Sequence, residues 1–107
     1  MQDDFEVAKL AVALRAARSA MGWSQIEFAD IMGISKSTVA RLETMEADIS
    51  LGMLQKILSE YSKLGITIDI LNSESLSVTV KPVTVKAFQM RMADEANRRA
   101  DRGRAKN

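Results

Sequence analysis

The sequence predicts a mainly α protein: a bundle of short helices over residues 1–65, then a β-hairpin and a C-terminal helix. Three observations predict this. Apolar residues recur at spacings of three and four from Val7 to Leu64. The period drops to two between Ile66 and Lys81, and helical spacing returns from about Val85.

In the first element Val7, Leu10, Leu14, Ala17 and Met21 form one apolar stripe, with Asp3 or Asp4 able to cap it and Gly22 to stop it. Two short helices follow. Ser24 is an N-cap with Glu27 three residues on, the spacing of a capping box, and Phe28, Ala29 and Met32 lead to Gly33. Ser35 caps the next helix, whose Val39 and Leu42 face inward. Ser50 opens a fourth helix with a stripe of Leu51, Leu54, Leu58 and Tyr61, flanked by Ile57 and Leu64 and ended by Gly65. Ile66–Leu71 and Leu76–Lys81 alternate as strands around Asn72-Ser73-Glu74-Ser75, and Pro82 closes the hairpin. The last helix turns Val85, Phe88, Met92 and Ala96 to one side and frays from Arg102. Two units are expected: residues 1–65, and an extension over 66–107 that serves dimerisation or partner binding.

Composition narrows the function classes. Among 107 residues there is one Pro and neither Cys nor His, so a disulfide frame, a thiolate nucleophile and the usual general base are all missing. Asp94 and Glu95 are adjacent on a helix and project in different directions. No phosphate loop, metal-ligand cluster or nucleophile-base pair is present, so no enzyme activity, metal or cofactor is expected. No apolar run approaches the roughly 20 residues of a membrane span, and the acidic start, Met1-Gln2-Asp3-Asp4, is unlike a signal peptide. A soluble, cytoplasmic protein without a membrane role is the expectation.

The net charge of +1 hides an asymmetry. Residues 1–83 carry 8 Lys/Arg against 11 Asp/Glu, whereas residues 84–107 carry 7 against 3. Such a tail is either a solvated face or an attachment to something anionic.

The stretch from Trp23 to Thr44 carries the functional signal. Two short helices meeting through a tight turn need a small residue where their backbones approach, and Ala29 occupies that place. Gly33 supplies the positive φ of the turn, and Ile34 and Val39 plug the angle. The second helix then presents Ser35, Lys36, Ser37, Thr38, Ala40 and Arg41 to solvent. An α-helix fits the major groove of DNA, about 12 Å wide, and Lys or Arg donates to guanine O6 and N7.

Residues 14–64 resemble the Xre/Cro-type, lambda-repressor-like helix-turn-helix family. The matching string is Gly22-Trp23-Ser24-Gln25, Phe28-Ala29, Met32-Gly33-Ile34-Ser35, Thr38-Val39 and Arg41-Leu42-Glu43. The resemblance implies that Gln25 holds a backbone phosphate with help from its helix N-terminus. It implies that Lys36, Ser37 and Arg41 face bases, while Ser35 and Thr38 lie nearer the sugar-phosphate chain. It also implies a structural pair between Arg18 and Glu43.

Two departures stand out. The family often carries a glycine two residues past the glutamate and a proline before the next helix; here the string is Glu43-Thr44-Met45-Glu46-Ala47-Asp48-Ile49-Ser50. Residues 23–45 are also net negative, with Lys36 and Arg41 against Glu27, Asp30 and Glu43. Either a dimer sums its cations or the basic tail (Arg98, Arg99, Arg102, Arg104, Lys106) supplies the missing charge. Gly65–Ile70 after the fourth helix is similar to HipB-type antitoxins, in which that strand pairs with its two-fold mate. The expected partners are therefore double-stranded DNA, a second copy of the chain and, on the antitoxin reading, a toxin. The leading function is a dimeric repressor reading a palindromic operator; the alternative is an antitoxin that silences a toxin and represses its own operon.

Overall fold

The computed structural model describes residues 4–71 and 74–105. In chain order the elements are α1 (Asp4–Met21), α2 (Gln25–Met32), α3 (Lys36–Glu43), α4 (Leu51–Lys63), β1 (Ile66–Asp69), β2 (Ser77–Val80) and α5 (Pro82–Ala105). This is the predicted order: a helical bundle, a two-stranded antiparallel hairpin and a C-terminal helix. The capping residue Asp3 and the turn residues Asn72 and Ser73 lie outside the described residues, and Asp4 is already helical.

Serine caps open three of the helices as expected. Ser24, Ser35 and Ser50 all have extended backbone, and their hydroxyls accept from the backbone N–H groups of Glu27, Thr38 and Met53, each at 3.1 Å. Each bond satisfies one donor that the helix itself leaves unpaired. At Ser24 the capping box is complete, because Glu27 Oε1 accepts from the Ser24 N–H at 3.0 Å.

The core lies between α1, α2, α3, α4 and the inner face of the hairpin. Leu10, Leu14 and Ala17 of α1 meet Phe28, Ala29 and Met32 of α2, Val39 and Leu42 of α3, Ile57 and Tyr61 of α4, and Ile66. Each large side chain so buried contributes about 1.5–3 kcal/mol. Tyr61 sits at the centre, with the Trp23 ring stacked on it at 5.8 Å and Phe28 tilted against it at 5.9 Å.

The stripe of α4 is rotated from the one expected. Ile57 and Tyr61 are buried, Leu54 and Leu58 are half-buried, and Leu51 and Leu64 are exposed. Leu51, Leu54 and Leu58 turn instead toward β1 and line a groove with Ile68, Ile70 and Leu71.

Both strands are shorter than the alternating pattern suggests. Ile66 pairs with Val80 and Asp69 with Ser77. Ile66, Ile68, Ile70, Val78 and Val80 pack on the helices, while Thr67, Asp69, Ser77 and Thr79 face out. The Lys81 N–H donates to the Gly65 carbonyl at 2.9 Å, which makes Gly65/Lys81 a hydrogen-bonded pair of the ladder. By alternation Thr67/Thr79 and Asp69/Ser77 are bonded likewise, so the N–H and C=O of Ile68 point away from β2.

The last helix starts earlier than its apolar period implies. Pro82 is its first residue rather than the end of the hairpin, and the N–H groups of Thr84 and Val85 donate to the Lys81 carbonyl. Proline lacks only an N–H that the first turn leaves unpaired anyway, and its φ is preset for helix. The backbone stays helical through Ala105, beyond the point where fraying is expected. Of the stripe expected inside, Phe88 and Met92 approach Gly22, but Val85 and Ala96 stay exposed. Thr84 is buried in their stead, its hydroxyl donating to the Leu64 carbonyl at 2.5 Å. A Cβ on Gly65 would collide with that hydroxyl oxygen, and the Gly65 φ of +85° also favours glycine.

Candidate nucleic-acid interface

Local sequence sets the angle between α2 and α3. Gly33 takes the left-handed conformation (φ 71°), and the Gly33 and Ile34 N–H groups bond back to the Asp30 and Ala29 carbonyls. This satisfies the end of α2 and turns the chain into the Ser35 cap. Ala29 is buried where the helices meet, Val39 is fully buried, and Ile34 packs on the same cluster. The Lys56 ammonium adds a bond to the Met32 carbonyl at 2.8 Å, placing a cation at the negative end of α2.

A polar linkage fixes α3 to α1. Arg18 Nε donates to Glu43 Oε2 at 2.8 Å and its Nη2 to Oε1 at 3.0 Å, while Nη1 reaches the Trp23 carbonyl at 2.9 Å. The Glu43 side chain is 3% exposed and that of Arg18 22%. The hydrogen bond to Glu43, more than its charge, raises the Arg18 pKa further above its already high value. The expected structural pair is thus present.

With one face of α3 fixed, the other is free. Lys36, Ser37 and Arg41 are exposed and Ala40 half-exposed, all within an arc of about 140° at 3.6 residues per turn. Ser35 Oγ caps the helix and lies 2.8 Å from Thr38 Oγ1 and 3.3 Å from Ser37 Oγ, so these hydroxyls form one cluster at the start of α3. Arg41 Nη2 makes a long contact of 3.4 Å to the Glu46 carbonyl and is otherwise turned to solvent. Gln25 stands apart from the other site residues: half-buried at the start of α2, its Nε2 donates to Glu43 Oε1 at 3.1 Å.

The negative charge of this stretch is compensated from outside it. Glu43 is held by Arg18, and Glu27 Oε2 accepts from Arg91 Nη2 of α5 at 2.7 Å. The Glu27 pKa is lowered, first by the Ser24 backbone N–H and then by Arg91. Of the three acidic residues, Asp30 is exposed. Arg91 and Lys56 were not foreseen as parts of this unit. Their partners lie 64 and 24 positions away, and no local spacing marks them.

The sequence profile of the helix-turn-helix family matches residues 14–70, more than half of the chain. The chain belongs to this Xre/Cro-type helix-turn-helix family. No curated protein and no solved structure matches it. As a family member the chain is a DNA-binding transcription regulator. Among the described residues no helix is long and apolar enough to cross a membrane.

Family membership gives Met45 its significance, because it stands where relatives often carry glycine. Its φ is +66°, the one non-glycine residue in the left-handed region among those described. The Glu46 N–H bonds to the Arg41 carbonyl at 2.7 Å and the Met45 N–H to that of Leu42 at 3.5 Å, the paired bonds of a Schellman ending. The chain therefore makes this left-handed turn with methionine. Glu46 and Asp48 of this loop are exposed.

Proposed function

We propose that the protein is a dimeric repressor that reads a palindromic operator through the major groove. The observation that carries this reading is the exposed outer side of α3, with Lys36, Ser37 and Arg41 together on it, while Val39 and Leu42 anchor its inner side. Lys36, Ser37 and Arg41 are assigned to base edges. Ser35, Thr38 and Gln25 are assigned to the sugar-phosphate chain, Gln25 while its amide also braces Glu43.

Dimerisation is assigned to the extension over residues 66–107. Two features support it: the backbone of Ile68 turned away from β2, and the apolar groove beside it formed by Leu51, Leu54, Leu58 and Leu71. An isolated hairpin is marginal, and two joined edge to edge make a four-stranded sheet. Two recognition helices so related would enter successive major grooves about 34–36 Å apart. Selection of bound duplexes from a random pool tests the function. Recovery of two inverted half-sites one helical turn apart is the expected result, and recovery of no motif overturns it.

A second reading, an antitoxin that also represses its own operon, is favoured by Val83 and Met90 of α5, which are 69% and 73% exposed. Co-purification of a bound protein whose release requires those side chains is the outcome that reading predicts.

A further inference from the structure

The helix α5 crosses the body and then leaves it. It begins at Leu64, where Thr84 is anchored, and passes Gly22, where Phe88 and Met92 pack. It reaches the junction of α1 and α2 at Arg91, which donates to the Met21 carbonyl at 3.4 Å and to Glu27 at 2.7 Å. Beyond Glu95 every described side chain, from Ala96 to Arg99, is exposed, while the helix continues to Ala105. The fourteen residues after Arg91 extend about 21 Å at 1.5 Å per residue.

The composition of one helical face changes where the body ends. Thr84, Phe88, Arg91, Met92 and Glu95 share the side of α5 that packs on the protein. At 3.6 residues per turn the next positions on that side are Arg98 and Arg99. Acidic Asp94 flanks this side one turn before Arg98 and pairs with it at 3.1 Å, and Glu95, on the same side, lies 3.9 Å from Arg91. The arginine-bearing side thus continues the line that meets the start of α2, the end assigned above to a phosphate through Gln25.

We propose that the distal part of α5 is a second, sequence-independent DNA contact, with Arg98 and Arg99 gripping the phosphate chain beside the site read by α3. This rests on the DNA-binding reading above and adds the element that supplies cations to a helix-turn-helix unit poor in them. The occupant is DNA rather than an acidic protein because the arginines lie on the face aligned with the α2 N-terminus.

The test uses the full chain carrying Arg98→Ala with Arg99→Ala. Both side chains are exposed, and unchanged circular dichroism verifies folding. Affinity for all duplexes should fall by one common factor, and the slope of log K against log salt should shrink by about two per protomer. Hydroxyl-radical protection should disappear on the flank of the half-site while protection within it persists. Charge reversal, Arg98→Glu with Arg99→Glu, should deepen each effect. Unchanged slope and unchanged flank protection overturn the proposal, as does loss of an acidic protein partner with DNA binding intact. Should Lys36→Ala still alter base preference in that case, the α3 assignment survives and only the arm fails; absence of binding to any duplex overturns both.

Discussion

Arg18 and Glu43, 25 positions apart, meet through two parallel hydrogen bonds of 2.8 and 3.0 Å, and Gln25 adds a third to the same carboxylate. Helices α1, α2 and α3 are therefore joined at one nearly buried acid. Arg18→Ala strands that carboxylate with Gln25 as its remaining side-chain donor and should cost about 3–5 kcal/mol. Glu43→Ala should cost less, since Arg18 retains some solvent and the Trp23 carbonyl. Urea midpoints of the two variants check the order; equal losses contradict it.

Lys36→Ala and Arg41→Ala should each lower discrimination between operator and altered operator by about 1–3 kcal/mol while leaving thermal stability unchanged. Competition binding against duplexes with single base changes measures it. A uniform loss over all sequences removes these residues from base contact.

Met45 holds a left-handed backbone that costs an L-residue about 1–2 kcal/mol. Met45→Gly should recover up to roughly 1 kcal/mol, the remainder being offset by the greater freedom of glycine in the unfolded chain. A raised melting temperature is the expected reading, and a lowered one shows that the half-exposed methionine packs more than its position suggests.

Among the described residues the buried Tyr61 hydroxyl finds no hydrogen-bond partner. An unsatisfied buried donor costs about 1–3 kcal/mol, so Tyr61→Phe should leave stability equal or higher. The pKa of Tyr61 is pushed up chiefly by burial and further by Glu43. The unfolded chain therefore ionises first as pH rises, and the wild type should lose stability above about pH 10. The phenylalanine variant should lose less over the same range.

Glu27 supplies the opposite dependence. Its lowered pKa means that its contribution is complete above the ordinary carboxylate value and is lost as pH falls through the lower, folded-state value. The stability gap between wild type and Glu27→Gln should therefore close on acidification below about pH 4.5. The gap itself is small, because the side chain is 44% exposed and its pairs are screened.

The parts of this protein that were legible in the sequence are those set by neighbours along the chain. Ser24, Ser35, Ser50 and Gly33 mark helix ends through bonds spanning three to five residues, and all four act as read. The exposed residues of α3 followed from the same periodicity that buried Val39 and Leu42. Pro82 was ambiguous, since a proline ends a strand and opens a helix with equal ease. The rotation of α4 was hidden because Leu54–Leu58 and Ile57–Tyr61 have the same spacing, and the position of β1 decides between them. The Arg91–Glu27 pair joins α5 to α2 and left no periodic trace.

The stacking of Trp23 on Tyr61 gives the molecule an intrinsic reporter. It is the chain's only tryptophan, seated at the joint between α1 and α2 and touching the ring at the centre of the core. Its fluorescence therefore senses the closure of the bundle itself, so folding can be followed optically without a label.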